Sequence, residues 1–264
     1  MVMTAQRALG ESRRAVLHSQ STTIQVKVPG GLNRSAAVIV ISGMDGWHGL
    51  TAAVGDQLSE DGYTVIGLDA RSYLIEATRL SGSLTPAVLA EDLVMVLHLA
   101  RGWFPEAQQT FLLGIFEGAG LSIVAAADRR VGAQLTGVLA IDTPGAVPLR
   151  SPFWAWTSWI THREVDGVSV PTAAYVAAVA PTPLSLIDRT YRSELPSDTV
   201  DTLFARGGEP RRLALVESRR PEFNDARDQL FGVLRSCLEW STHVSPIEFG
   251  VTTRSRVAHS GGSR

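Results

Sequence analysis

The stretch Gly114-Ile115-Phe116-Glu117-Gly118 brings an apolar run to a tight turn and opens a helical pattern. Its glycines stand where a chain doubling back on itself has no room for a side chain. Such a turn lifts one side chain above the end of a strand, a position suited to a nucleophile. Here that side chain is Phe116, a ring with no lone pair to donate. The ends of other apolar runs carry groups that can take up or release protons: Asp45 and His48, Asp69, Asp142 and Asp188, with Glu117 on the turn itself. Five carboxylates around one crevice repel, so some must be paired or hold their protons more tightly. Arg71, Arg189 and Arg192 are the available partners. An Asp142–His48 pair would work as a general acid or base without any serine, and Glu117 is a further candidate. The alternative is that each carboxylate only caps the helix that follows it.

These groups need a frame that gathers strand ends. Alternation over residues 22–28 predicts a first strand closed by Pro29-Gly30-Gly31, with residues 1–21 as an extension that is either a loose helix or disordered. Continuous apolar runs over 36–42, 63–69, 109–116, 135–142, 182–188 and 211–217 read as strands buried on both faces. Between them, residues 48–61, 118–130 and 225–240 have helical spacing, and Thr85-Pro86 opens a helix as N-cap and first residue. Strand and helix alternate from about 36 to 240, which predicts an α/β domain over 22–240. Its mostly parallel, doubly wound sheet carries helices on both faces. An insertion at 143–181 interrupts the rhythm and holds Trp154 and Trp156, and the tail from 241 reads as disordered.

Several motifs, in order and at matching spacing, resemble the α/β-hydrolase superfamily. They resemble most closely its VirJ-type and dienelactone-hydrolase-like bacterial branch. Ser42-Gly43-Met44-Asp45-Gly46-Trp47 resembles the turn after that branch's first parallel strand. The run from Gly62 to Asp69 with Arg71 and Tyr73 resembles the next strand and loop, and Glu91-Asp92-Leu93 the helix after it. Leu113-Gly114 with Gly118-Ala119 resembles the nucleophile elbow, written G-x-S-x-G where the serine is present. The resemblance implies a Ser-His-Asp triad and places its positions on Phe116, Pro221 and Arg192, none of which can serve. It also implies an oxyanion hole made by the backbone N–H groups of Met44 and Glu117, which need no particular side chain.

In an open α/β sheet, ligands bind outside the carboxyl ends of the strands. The expected pocket is therefore lined by Met44, Asp45, Trp47, Asp69, Arg71, Phe116, Glu117, Trp154 and Trp156. Phe116 either fills it or floors it for an apolar ligand. Two functions fit. One is a pseudohydrolase binding a small apolar carbonyl-type ligand or a protein partner. The other is a repurposed enzyme doing non-covalent cyclisation, elimination or isomerisation.

A net charge of −2 on 264 residues gives no field that favours nucleic acid. Scattered histidines and the single Cys237 make no metal signature, and no nucleotide-binding loop or cofactor is expected. No apolar run spans a membrane or forms a leader, so a cytoplasmic protein is expected.

Overall fold

The computed structural model describes residues 9–17, 20–81, 84–149, 169–191 and 198–244. The chain opens with β1 (Leu9–Leu17), β2 (Gln20–Val28) and β3 (Ala36–Ile41), then α1 (Gly49–Glu60) and β4 (Thr64–Leu68). Two helices follow, α2 (Ala70–Ser81) and α3 (Pro86–Trp103), before β5 (Gln109–Ile115), α4 (Glu117–Ala126), the short α5 (Arg129–Gly132) and β6 (Gly137–Ile141). A small antiparallel pair, β7 (Ala146–Pro148) and β8 (Ser169–Pro171), leads through two 3-10 turns to β9 (Leu184–Arg189). The described chain closes with α6 (Asp198–Arg206), β10 (Arg211–Val216) and α7 (Arg227–Val244).

The strands form one eight-stranded sheet in the order β1-β2-β4-β3-β5-β6-β9-β10. From β4 to β10 neighbours run parallel, while β2 joins β4 antiparallel and β1 joins β2 antiparallel. Burial on both faces explains the near-continuous apolar runs of β3, β4, β5, β6 and β9, whereas β10, expected to be buried likewise, is the sheet edge and mostly half-buried. Ala37, Ile39 and Ile41 of β3 pack into one core with Tyr73 and Leu74 of α2, Leu93 of α3 and Leu121 of α4. Ala36, Val38 and Val40 pack into the other with Leu50 of α1 and Leu230 of α7. On the first face the Tyr73 hydroxyl donates to Asp92 Oδ2 at 2.7 Å and ties α2 to α3. The N-cap of α3 is Thr85, whose hydroxyl accepts the Val88 N–H, with Pro86 as the first helical residue.

The order of strands reverses at β3, whose neighbours are β4 on one side and β5 on the other. That reversal opens a crevice between the loops after β3 and β5.

Three expectations change. Residues 9–17 are neither loose helix nor disordered: they pair with β2 from Leu9↔Val28 to Leu17↔Gln20 and extend the sheet. Two helices, α2 and α6, fall where no helix is expected. The last helix runs to Val244, past the expected boundary at 240. Trp154, Trp156, Arg192 and residues 245–264 lie outside the described residues. Among those described, no helix is long and apolar enough to cross a membrane.

Candidate functional site

The turn between β5 and α4 is a strained elbow. Phe116 has φ 53° and ψ −121°, a conformation that a side chain other than glycine rarely adopts. Its N–H donates to the Ile141 carbonyl at 2.9 Å, and its own carbonyl accepts the Ala119 N–H at 2.9 Å. The two glycines make this possible. A Cβ on Gly114 would run into the backbone of Gly118 and Ala119, and one on Gly118 into the carbonyls of Ile41 and Ser42. Helix α4 thus begins hard against the end of β3, and its first residue, Glu117, faces the loop that leaves that strand.

That loop is held from two sides. Ser42, fully buried, donates from Oγ to the Gly43 carbonyl and accepts the Ala70 N–H, both at 2.9 Å. Asp69 accepts the Trp47 N–H on Oδ2 at 3.0 Å and the Ser72 N–H on Oδ1 at 2.8 Å. It therefore braces the loop and caps α2 in one stroke. The Trp47 ring packs against Gly67, where it leaves no space for a Cβ.

A cavity of about 650 Å³ opens above the elbow, within the range of small-molecule sites. It is lined by Met44 and Asp45 after β3, Phe116 and Glu117 at the elbow, Asp142 to Ala146 after β6, and Arg189, Thr199, Pro221 and Glu222. The space over Phe116 is open, and its ring forms part of the lining while its other contacts are with the α1 and α7 core.

Two contacts organise the charge. Arg189 places Nε at 3.1 Å and Nη2 at 3.0 Å from Asp142 Oδ2, with both side chains mostly buried. Asp142 itself takes φ 51° as it leaves β6. In the second contact, Glu117 Oε2 accepts the Met44 N–H at 3.0 Å. A Cβ on Gly43 would sit 2.8 Å from Asp45 Oδ1, 3.1 Å from Phe116 Cδ2 and 3.2 Å from Glu117 Oε2. Glycine at 43 is what lets these three side chains converge. The Asp45 carboxyl is pushed above the usual aspartate value, first by burial and then by the neighbouring Glu117 and Glu222 carboxylates.

The expected residues sort accordingly. Met44, Asp45, Phe116, Glu117 and Asp142 meet at the cavity, and Pro221 reaches it as well. Trp47 and Asp69 support the loop from behind, and Arg71 is exposed; none of the three is among the lining residues. Asp188 is buried and accepts the Arg189 N–H at 2.7 Å.

Two expectations fail here. Asp142 does not pair with His48: it is held by Arg189, while His48 stands exposed at the N-cap of α1 without a side-chain capping bond. The nook expected to hold a carbonyl oxygen is not open either, because the Glu117 carboxylate occupies the Met44 N–H. Thr143, Thr199 and Glu222 were not anticipated. The signal for Glu222 is its place beside Pro221, the histidine position implied by the resemblance. No group of three or more metal-ligating side chains exists among the described residues.

Residues 35–142 match the family of bacterial virulence protein VirJ. An esterase of Pyrococcus furiosus superposes with TM-score 0.66 at 14% identity, covering 88% of this chain and 90% of that one. Est1E of Butyrivibrio proteoclasticus gives 0.64 at 10% identity, with 88% and 99% covered. A putative dienelactone hydrolase of Klebsiella pneumoniae gives 0.61 at 12%, with 89% and 99% covered. No curated protein sequence matches the chain.

Proposed function

We propose, for a chain that has the α/β-hydrolase fold and is VirJ-like over residues 35–142, a pseudohydrolase role: it binds a small molecule in the old active-site cleft and does not hydrolyse esters through a serine. The observation that carries this is the elbow. Phe116 holds the strained backbone position where the fold presents a nucleophile, beneath a cavity of about 650 Å³. A ring there can pack against a ligand but cannot attack one. The position implied for the histidine carries Pro221, which reaches the cleft but cannot titrate. The cavity favours a small ligand over the protein partner that a filled pocket would have suggested.

Incubating the protein with p-nitrophenyl acetate and butyrate tests this reading. Rates equal to buffer are expected; saturable turnover would overturn it.

A second reading has its own observation. Asp45 keeps its proton to higher pH than an ordinary aspartate and faces the same cleft, so it is suited to donate a proton to a bound ligand. Under that reading Asp45→Asn abolishes turnover of the true substrate while leaving its binding intact.

A further inference from the structure

The Glu117–Met44 contact bears on which ligands this cleft accepts, given that it is a small-molecule site. In a site built to polarise an acyl group, the N–H after the first parallel strand points at the substrate's oxygen. Here that donor already has an anion on it, supplied from the turn after β5, 73 residues further along the chain. The carboxylate lies close over Gly43, where a Cβ would meet Glu117 Oε2 at 3.2 Å, Phe116 Cδ2 at 3.1 Å and Asp45 Oδ1 at 2.8 Å. An incoming carbonyl or carboxylate oxygen would have to evict Glu117 and then sit beside its charge.

The charged side chains that line the cleft among the described residues are four carboxylates, Asp45, Glu117, Asp142 and Glu222, and one guanidinium. Arg189 is the one basic side chain lining the cleft among the described residues, and both of its contacting nitrogens lie on Asp142 Oδ2. Asp45 and Glu222 add acceptors on the same side as Glu117. Phe116, Pro144, Ala146 and Pro221 supply apolar surface for the body of a ligand.

We propose that Glu117 sets the ligand class of the cleft: its carboxylate closes the Met44 N–H to acyl oxygens, and the cleft takes an apolar molecule whose polar end is a primary ammonium group. The ammonium is received by Glu117 together with Asp45 and Glu222, and the apolar body lies on Phe116. This inference rests on the small-molecule reading above and narrows it.

The experiment is calorimetric titration of the protein at neutral pH and low salt with n-hexylamine and, separately, n-hexanoate. The two probes share an apolar body and differ in the charge of the head. Hexylamine is expected to bind more tightly than hexanoate by at least about tenfold, the effect of a like charge brought against a carboxylate. Glu117→Ala removes both charge and plug, so hexylamine should weaken and hexanoate should gain. Glu117→Gln keeps an oxygen on the Met44 N–H, so hexylamine should weaken without an equal gain for hexanoate. A thermal melt of each variant confirms that it is folded.

Hexanoate binding as tightly as hexylamine, or a ratio unmoved by Glu117→Ala, overturns the inference and leaves the small-molecule reading standing. Binding of neither probe by any folded form overturns both.

Discussion

Phe116 and Asp142 leave neighbouring parallel strands at matching positions, one residue after the paired Ile115 and Ile141, and both turn through positive φ, 53° and 51°. Two non-glycine residues in that region, side by side at the mouth of one cavity, cost of order 1–3 kcal/mol each. The surrounding structure enforces them: α4 is jammed against β3 through Gly118, and Asp142 is gripped by Arg189. Strain held at the mouth of a cleft is characteristic of sites that position groups for a ligand.

Placing a hydroxyl at the elbow should not produce hydrolysis. Phe116→Ser keeps the backbone turn, but no histidine lines the cleft among the described residues to take the serine's proton. Its rate on p-nitrophenyl acetate is expected to equal that of the unsubstituted chain. Saturable turnover would mean that a base stands closer than Pro221 implies.

Breaking the Asp142–Arg189 pair from one side should be costly. Arg189→Met leaves a mostly buried carboxylate without its guanidinium, at about 3 kcal/mol, the lower end for a buried pair. Adding Asp142→Asn should recover much of the loss, and denaturant unfolding of the four forms reads the coupling. Additive costs would show that the pair contributes nothing beyond its separate residues.

Much of this frame is legible from residue patterns alone, because a strand buried on both faces has one signature. The runs that became β3, β5, β6 and β9 have it. Strand β1 does not: Leu9–Leu17 mixes charge with apolar residues and becomes a strand through its pairing with β2, a tertiary fact. Helix α2 is hidden for a different reason. Its cap is Asp69, and an aspartate at the end of an apolar run looks the same whether it caps a helix or meets a ligand. The site divides in the same way. Residues on the strand ends themselves, Met44, Phe116, Glu117 and Asp142, are placed by the sheet and can be anticipated. Thr199 and Glu222 arrive on α6 and on the loop after β10, and only the folded chain brings them to the cavity. Neither could the direction of the Glu117 side chain be read, since a helix N-terminus favours a carboxylate wherever it points.

Stability should depend on pH through Asp45. Its carboxyl is held above the ordinary value of 3.8 in the folded chain, so the native state binds more protons than the unfolded one just above that pH. Stability therefore falls as pH rises through the window between 3.8 and the raised folded value, then levels off. Asp45→Asn removes this dependence. Its melting temperature should match the unsubstituted chain below the window and exceed it above. A gap that is constant across the range would contradict the assignment.

Filling the space at Gly43 should disturb the cleft more than the fold. In Gly43→Ala the Asp45 carboxylate can swing aside, but the Phe116 ring and the Glu117 carboxylate must both give way. A cost of about 1–3 kcal/mol is expected for this overpacking, with weakened hexylamine binding in the same protein. Unchanged binding at that cost would separate Gly43 from the site.

The most direct measurement is exposure of the purified protein to a fluorophosphonate probe, followed by intact mass. A chain whose elbow carries Phe116 and whose cleft holds Glu117 on the Met44 N–H should show no added mass. A single stoichiometric adduct that maps to a serine would contradict the account, since it would show an activated hydroxyl and hence hydrolase chemistry.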